Sequence, residues 1–271
     1  MILHLDLDNT IIYSARRGIG SRKKCVEYYQ GRGVSFVTER TAELFGSLPE
    51  SVLAVPTTTR TIEQYRRIDL MAGPLRYALV CNGGVLLKDG AEDAEWYEES
   101  LRLAAGSAAE CERAREILLA DENRIFEVRY IQNLFLFTKS ADSGKTVAAL
   151  REKLDPALVD VFLNGNKVYV IPANLDKGTA VRRFRKRIAN ERRGGEPVFA
   201  AGDSVADLSM LREADVGIAP RELAGLPGLR KDAVIMDGTH VFSDDLLEFV
   251  LRSADCRRNS REGLRVCTEG K

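Results

Sequence analysis

Residues 2–10 read ILHLDLDNT. Ile2 to Leu7 is a short apolar run of the kind that forms a buried strand. It ends in the polar cluster Asp6-Leu7-Asp8-Asn9-Thr10, where the strand should stop. The pattern then repeats. A helix is expected over Glu39–Phe45 and a second buried strand over Ser51–Val55, ending in Pro56-Thr57-Thr58-Thr59-Arg60. Thr61 and Gln64 have capping-box spacing, which starts a helix running to about Asp69. Tyr77–Val80 reads as a third strand, closed by Asn82-Gly83-Gly84. Alternation of strand and helix argues for an α/β fold, an open parallel sheet wrapped by helices in the Rossmann-like manner.

Residues 13–35 interrupt this rhythm. They carry Arg16, Arg17, Arg22, Lys23, Lys24 and Arg32 among several glycines, and read as a basic excursion or hairpin. The middle of the chain changes character again. Ala108–Leu119 and Lys145–Leu154 are helical in composition, and Phe126–Tyr130 and Leu134–Thr138 look like paired strands. Val159–Leu163 and Lys167–Val170 flank Asn164-Gly165-Asn166, a hairpin signal. The order αββαββ implies an inserted α+β domain over 84–171. The first pattern resumes with a helix over Lys177–Ala189, a strand over Val198–Ala201, a helix over Val205–Glu213, and strands over Val216–Ala219 and Ala233–Met236. A last helix is expected over Asp244–Leu251. The expected division is a discontinuous core of 1–83 and 172–255, the insert at 84–171, and a mobile tail at 256–271.

Composition narrows the function classes. The 271 residues are 45% hydrophobic and 30% charged, with 40 basic and 40 acidic residues, so no overall field points to nucleic acid. No run approaches the roughly 20 apolar residues that cross a bilayer, and the N-terminus does not read as a signal peptide. Five cysteines, odd in number and scattered, fit reduced thiols in a cytoplasmic protein. With only two histidines, His4 and His240, a multi-histidine metal site is not expected. The sequence is silent on oligomeric state.

Four clusters carry chemistry. Asp6 and Asp8 end the first strand; two carboxylates one residue apart suit an attacking group and a proton-moving group, provided the chain turns after Asp6. An Asx turn at a strand end would look the same. Thr58, with Thr59 and Arg60, follows the second strand, where a hydroxyl and helix amides can bind phosphate or simply cap a helix. Lys177 starts a helix, against the helix dipole, a place that favours lysine when an anion must be held. Gly202-Asp203-Ser204-Val205-Ala206-Asp207 again follows a buried strand. All four fall where a strand ends or a helix begins, and strand C-terminal ends line the ligand crevice of open parallel sheets. Carboxylate oxygens with room for water suit Mg²⁺, and the metal and Lys177 would offset the charge of a phosphate near Asp6.

The segments LHLDLDNTI (3–11), AVPTTTR (54–60), NLDKGTA (174–180) and AGDSVADLSML (201–211) resemble, in order and spacing, the four motifs of the haloacid dehalogenase-like hydrolase superfamily. The insert between the second and third motifs resembles a C2B cap, as in Cof-type and sucrose-phosphatase-like members. The resemblance implies an Mg²⁺-dependent phosphatase acting on a small phosphorylated metabolite, plausibly a sugar phosphate. In it Asp6 forms an aspartyl phosphate, and Asp8 protonates the leaving oxygen and then activates water. Thr58 and Lys177 would hold the phosphoryl group. Asp6, the Asp8 carbonyl and Asp203 would ligate the metal, with Asp207 supporting them. Arg60 and Asn82 are further candidates for substrate contact. Dehalogenases of the superfamily lack the second aspartate and its P-type ATPases carry threonine there, so Asp8 favours phosphatase or phosphomutase chemistry.

Two departures stand out. Ala206 occupies the place where such relatives usually have Asn, and Thr59 the place of Gly in Thr-Gly-Arg. Ala206 keeps open a catalytically weak binding module, and phosphomannomutase-like enzymes share the layout. A mutase would need an activating bisphosphate. The basic residues of 13–35 are expected either to form a solvated loop or to reach a second anionic group on the substrate.

Overall fold

A computed structural model of the chain describes residues 1–70, 73–191 and 195–261. At its centre is a five-stranded parallel sheet in the order Val234–Met236, Val216–Pro220, Val198–Ala201, Ile2–Leu5, Leu53–Pro56. Side chains alternate across each strand, so the sheet buries both faces. Leu3, Leu5, Phe199, Ala201 and Ile218 pack with Phe45, Leu246, Leu247 and Val250 from the helices Glu39–Gly46 and Phe242–Arg261. Ile2, Val55, Val198, Ala200 and Ala219 pack with Val181, Phe184, Met210 and Leu211 from the helices Lys177–Ala189 and Leu208–Glu213. His4 lies within this second face, fully buried, with Nδ1 2.9 Å from the Thr57 hydroxyl. Burial lowers its pKa to about 3, so it is a neutral core residue.

The basic excursion is a three-stranded antiparallel sheet, Tyr13–Ser14, Arg32–Thr38 and Lys23–Tyr29. The inserted sheet has the order Val159–Asn164, Lys167–Pro172, Phe135–Lys139, Arg129–Ile131, all antiparallel. One face, with Leu136, Val161, Val168 and Val170, packs on the helices Ala108–Ala120 and Ser143–Lys153. The other presents Phe135, Phe137, Phe162, Tyr169 and Ile171, which pack with Ile62, Val80 and Cys81 of the core.

Three expectations change. Tyr77–Val80 is not one of the five strands of the parallel sheet: it is joined to the end of Leu53–Pro56 by the parallel bridge Thr57–Leu79 and by the Thr58 amide on the Leu79 carbonyl at 2.9 Å, and its full pairing is with Val85–Lys88 in a small antiparallel sheet. A helix unforeseen in the sequence, Ala94–Ala105, buries Trp96 against the core, where Arg183 stacks on the indole at 3.9 Å. The segment 85–105 packs on both sides: Trp96 joins the core cluster, while Val85, Leu87, Tyr97 and Leu101 pack with Phe135, Tyr169 and Ile171 of the inserted sheet. The last helix does not stop at Leu251: it continues to Arg261, so the start of the expected tail is helical, and residues 262–271 lie outside the described residues. No described helix is long and apolar enough to cross a membrane.

Candidate functional site

The first strand ends at Leu5, and the Leu7 carbonyl then accepts hydrogen bonds from the amides of Thr10, Ile11 and Ile12. Asn9 takes φ 63°, a left-handed conformation that asparagine tolerates better than most residues. This is the turn that Asp6 and Asp8 require to face one crevice. Thr58 follows the neighbouring strand, is fully buried, and accepts the Asn82 amide on its carbonyl at 2.8 Å. Lys177 opens its helix, whose N-cap is Asp176. Asp203 and Asp207 follow Val198–Ala201 across a short 3-10 turn. Gly202 is required there, because a Cβ would collide with Cβ and Cγ of Asp207.

Asp6, Lys177, Asp203 and Asp207 meet. Lys177 is 2% exposed, and its Nζ donates to Asp6 Oδ1 at 2.6 Å and to Asp207 Oδ1 at 2.5 Å. The other Asp207 oxygen accepts from the Ser204 amide and hydroxyl. Thr10 donates to Asp203 at 3.2 Å. Burial opposes the charge on Lys177, but Asp207 and Asp6 outweigh it and raise its pKa above the ordinary lysine value. Burial pushes Asp6 well above the carboxylate range; Lys177 offsets part of this, while Asp207, Asp203 and Asp8 add to it. Asp203 is pushed up to about 7, by burial first and by Asp207 second.

One carboxylate oxygen from each of Asp6, Asp203 and Asp207 lies within 4.8 Å of the others. Carboxylates crowded this closely repel one another when ionised and call for positive charge, and an all-oxygen donor set fits a hard divalent cation. Asp207 belongs to this group directly. The Asp8 side chain is not one of the three.

Asp8 is held by Arg60, whose Nε and Nη2 donate to its two oxygens at 2.8 Å each. Burial would raise the Asp8 pKa, but Arg60, helped by Lys167 and Lys177, holds it below the usual value. Arg60 Nη1 reaches Glu27 at 2.9 Å. Glu27 was not singled out in the sequence, although it is the one acidic residue between Asp8 and Glu39. Tyr169, also missed, is buried and stacks on Phe162 with ring centroids 5.0 Å apart. Of the basic residues of 13–35, for which a solvated loop and a reach to a second anionic group were the two expectations, Arg22 pairs with Glu39 and Lys23 lies over the Phe36 ring. Asn82 is buried and donates to the Leu175 carbonyl at 2.9 Å. It lines a cavity of about 300 Å³ with Asp160, Phe162, Asp176, Ala206 and Ser209, between the inserted sheet and the loop that carries Asp203 and Asp207.

A family model for haloacid dehalogenase-like hydrolases matches residues 65–221, more than half of the chain. No curated protein sequence matches. Among solved structures, the sucrose-phosphatase of Synechocystis sp. PCC6803, in complex with sucrose and phosphate, is similar at TM-score 0.62 and 16% identity, over 93% of this chain and 97% of that one. A trehalose-6-phosphate phosphatase related protein is similar at TM-score 0.55 and 15% identity, over 95% and 100%. A haloacid dehalogenase-like hydrolase from Bacillus subtilis is similar at TM-score 0.51 and 16% identity, over 93% and 90%. At such identities the structures speak for the fold, and the matched model speaks for the family: the chain belongs to the haloacid dehalogenase-like hydrolases.

Proposed function

We propose that the protein is an Mg²⁺-dependent phosphatase that removes the phosphate of a small phosphorylated metabolite, a sugar phosphate in the first instance, through an aspartyl phosphate on Asp6. The observation that carries this reading is the meeting of Asp6, Asp203 and Asp207 around Lys177 at the ends of parallel strands. Mg²⁺ held by Asp6, the Asp8 carbonyl and Asp203, with Asp207 beside them, would neutralise the carboxylates and the arriving phosphate.

In the first half-reaction an Asp6 oxygen bonds to phosphorus and the bond from phosphorus to the leaving oxygen breaks. Asp8 passes a proton to that oxygen. Because Arg60 keeps Asp8 ionised beforehand, this proton enters with the substrate as the phosphate monoanion, whose remaining proton has a pKa of about 6. In the second half-reaction water attacks phosphorus, Asp8 takes its proton, and the bond to Asp6 breaks to release inorganic phosphate. Thr58 and Lys177 hold the phosphoryl oxygens. The inserted sheet serves as a cap, and the cavity that Asn82, Asp160 and Phe162 line receives the leaving group. Its volume, about 300 Å³, is at the small end for ligand pockets, which supports a metabolite rather than a macromolecule. Sucrose-phosphatase and trehalose-6-phosphate phosphatase related structures share the fold and support starting with sugar phosphates.

The test is phosphate release from p-nitrophenyl phosphate and a panel of sugar phosphates, in Mg²⁺ and in EDTA. Release that needs Mg²⁺ and ranks the panel supports the reading. Turnover only with an added bisphosphate would favour a mutase, and folded protein inert to every substrate would contradict both.

A further inference from the structure

Between Asp8 and Glu39 the chain carries Arg16, Arg17, Arg22, Lys23, Lys24 and Arg32, but one carboxylate, Glu27. That carboxylate is only 2% exposed. Two features put it inside. The pairing of Lys23–Tyr29 with Arg32–Thr38 slips between Cys25 and Glu27 and again between Glu27 and Tyr28, the kind of irregularity that re-aims a side chain. The same strand is fastened to the core: Glu27 bridges to Ile68, and the Asp69 amide donates to the Val26 carbonyl at 2.8 Å.

Three side chains, Arg60, Ser35 and Arg67, donate to the Glu27 carboxylate. Oε2 accepts from Arg60 Nη1 at 2.9 Å and from the Ser35 hydroxyl at 2.5 Å. Oε1 lies 3.2 Å from Arg67 Nε and 3.1 Å from Arg67 Nη2. Arg60 is committed just as fully, with Nη1 on Glu27 and its other two nitrogens on Asp8. A guanidinium is planar, so fixing one nitrogen from the far side fixes the plane in which the other two present their protons. The remaining polar contact of the guanidinium, Nη2 to the Ser35 hydroxyl at 3.4 Å, is to a group that itself donates to Glu27.

We propose that Glu27 is a positioning residue for Asp8, acting through Arg60. The antiparallel sheet of residues 13–38 thereby completes the proton-moving side of the site by its one acid and not by its basic residues. The kinetic consequence rests on the phosphatase reading; the geometric one does not. A carboxylate that merely staples this sheet to the core would matter to stability alone, and Arg67 provides the control, because it binds the same carboxylate without touching Asp8.

The experiment compares Glu27→Gln, Arg60→Lys, the double variant and Arg67→Met, assayed with p-nitrophenyl phosphate below their melting temperatures. Glu27→Gln should lower kcat by about ten- to a hundredfold, the scale of a misplaced catalytic group, and leave KM within about twofold. It should add little to Arg60→Lys, and Arg67→Met should keep kcat within about twofold of wild type. Glu27→Gln with wild-type kcat, or losses that multiply in the double variant, would overturn the proposal. A second readout needs no turnover: the Arg60 Nε–H resonance of ¹⁵N-arginine-labelled protein should exchange slowly with solvent in wild type and quickly in Glu27→Gln. Unchanged slow exchange would overturn the proposal even if the wild type proves inert, an outcome that by itself would count only against the phosphatase reading.

Discussion

On either side of the crevice a cation bridges two carboxylates, and the two sides are built differently. On one, the Lys177 ammonium joins Asp6 and Asp207, all nearly inaccessible. On the other, the Arg60 guanidinium joins Asp8 and Glu27, and the Asp8 side chain is 40% exposed. An ammonium is a compact charge whose protons can be redirected, so Lys177 can share Asp6 with a metal or turn to a phosphate without rebuilding its surroundings. A guanidinium offers fixed parallel donors, so Arg60 sets the direction of Asp8. The difference teaches that like charge balance serves unlike ends: the lysine side is made to exchange partners, and the arginine side is made to hold still.

Perturbing each side should break or sharpen that contrast, beginning with the largest effect. Replacing Asp6 with Asn should cut phosphate release by at least ~10³-fold, the scale on which nucleophile removals act, with folding intact; steady-state assays with matched melting curves check this. Lys177→Met should also end turnover. In EDTA it should destabilise the fold by about 3–5 kcal/mol, because it leaves buried carboxylates without their partner. Mg²⁺ should restore part of that loss by binding the folded state, and denaturant titrations with and without the metal measure both. Arg60→Lys, which keeps the charge and loses the paired donors, should cost about 1.5–3 kcal/mol, and Mg²⁺ should recover none of it. Equal metal rescue on the two sides would erase the distinction. The smallest effect is expected from Arg22→Gln with Lys23→Gln, which touch neither side: a stability change of about 0–1 kcal/mol by the same titration.

How much of this was legible in the sequence follows from the range of the interactions. The helix Lys177–Ala189 and the strand Val198–Ala201 lie at the bounds the sequence predicts, because a helix with a basic outer face and a short apolar run are local signals. Asp6, Thr58, Lys177, Asp203 and Asp207 could be grouped because parallel topology brings strand ends together, whatever the spacing along the chain. Glu27 could not be found in this way. Its burial depends on slipped pairing within one small sheet and on two arginines 33 and 40 residues away, and neither leaves a periodic trace. The helix Ala94–Ala105 buries Trp96, Ser100 and Ala104, and two of those three are too small or too polar to mark an apolar stripe. The sequence bounds the last helix short for a related reason: among the residues after Val250 whose burial is described, Ala254 is buried in the core and Leu251 packs on it in part, so the polar run that follows carries little pattern of its own.

The most direct test of the central claim is to look for the phosphoryl group on Asp6. The Asp8→Asn variant would be mixed with p-nitrophenyl phosphate and Mg²⁺, quenched in acid, and its N-terminal peptide analysed by mass spectrometry. The leaving group needs little protonation, so the first half-reaction should proceed while the second stalls. The account predicts a phosphoryl group on the peptide that carries Asp6, absent in EDTA and absent when Asp6 is also changed to Asn. Wild-type turnover with no phosphoryl group on that peptide, or with the group on another residue, would contradict it.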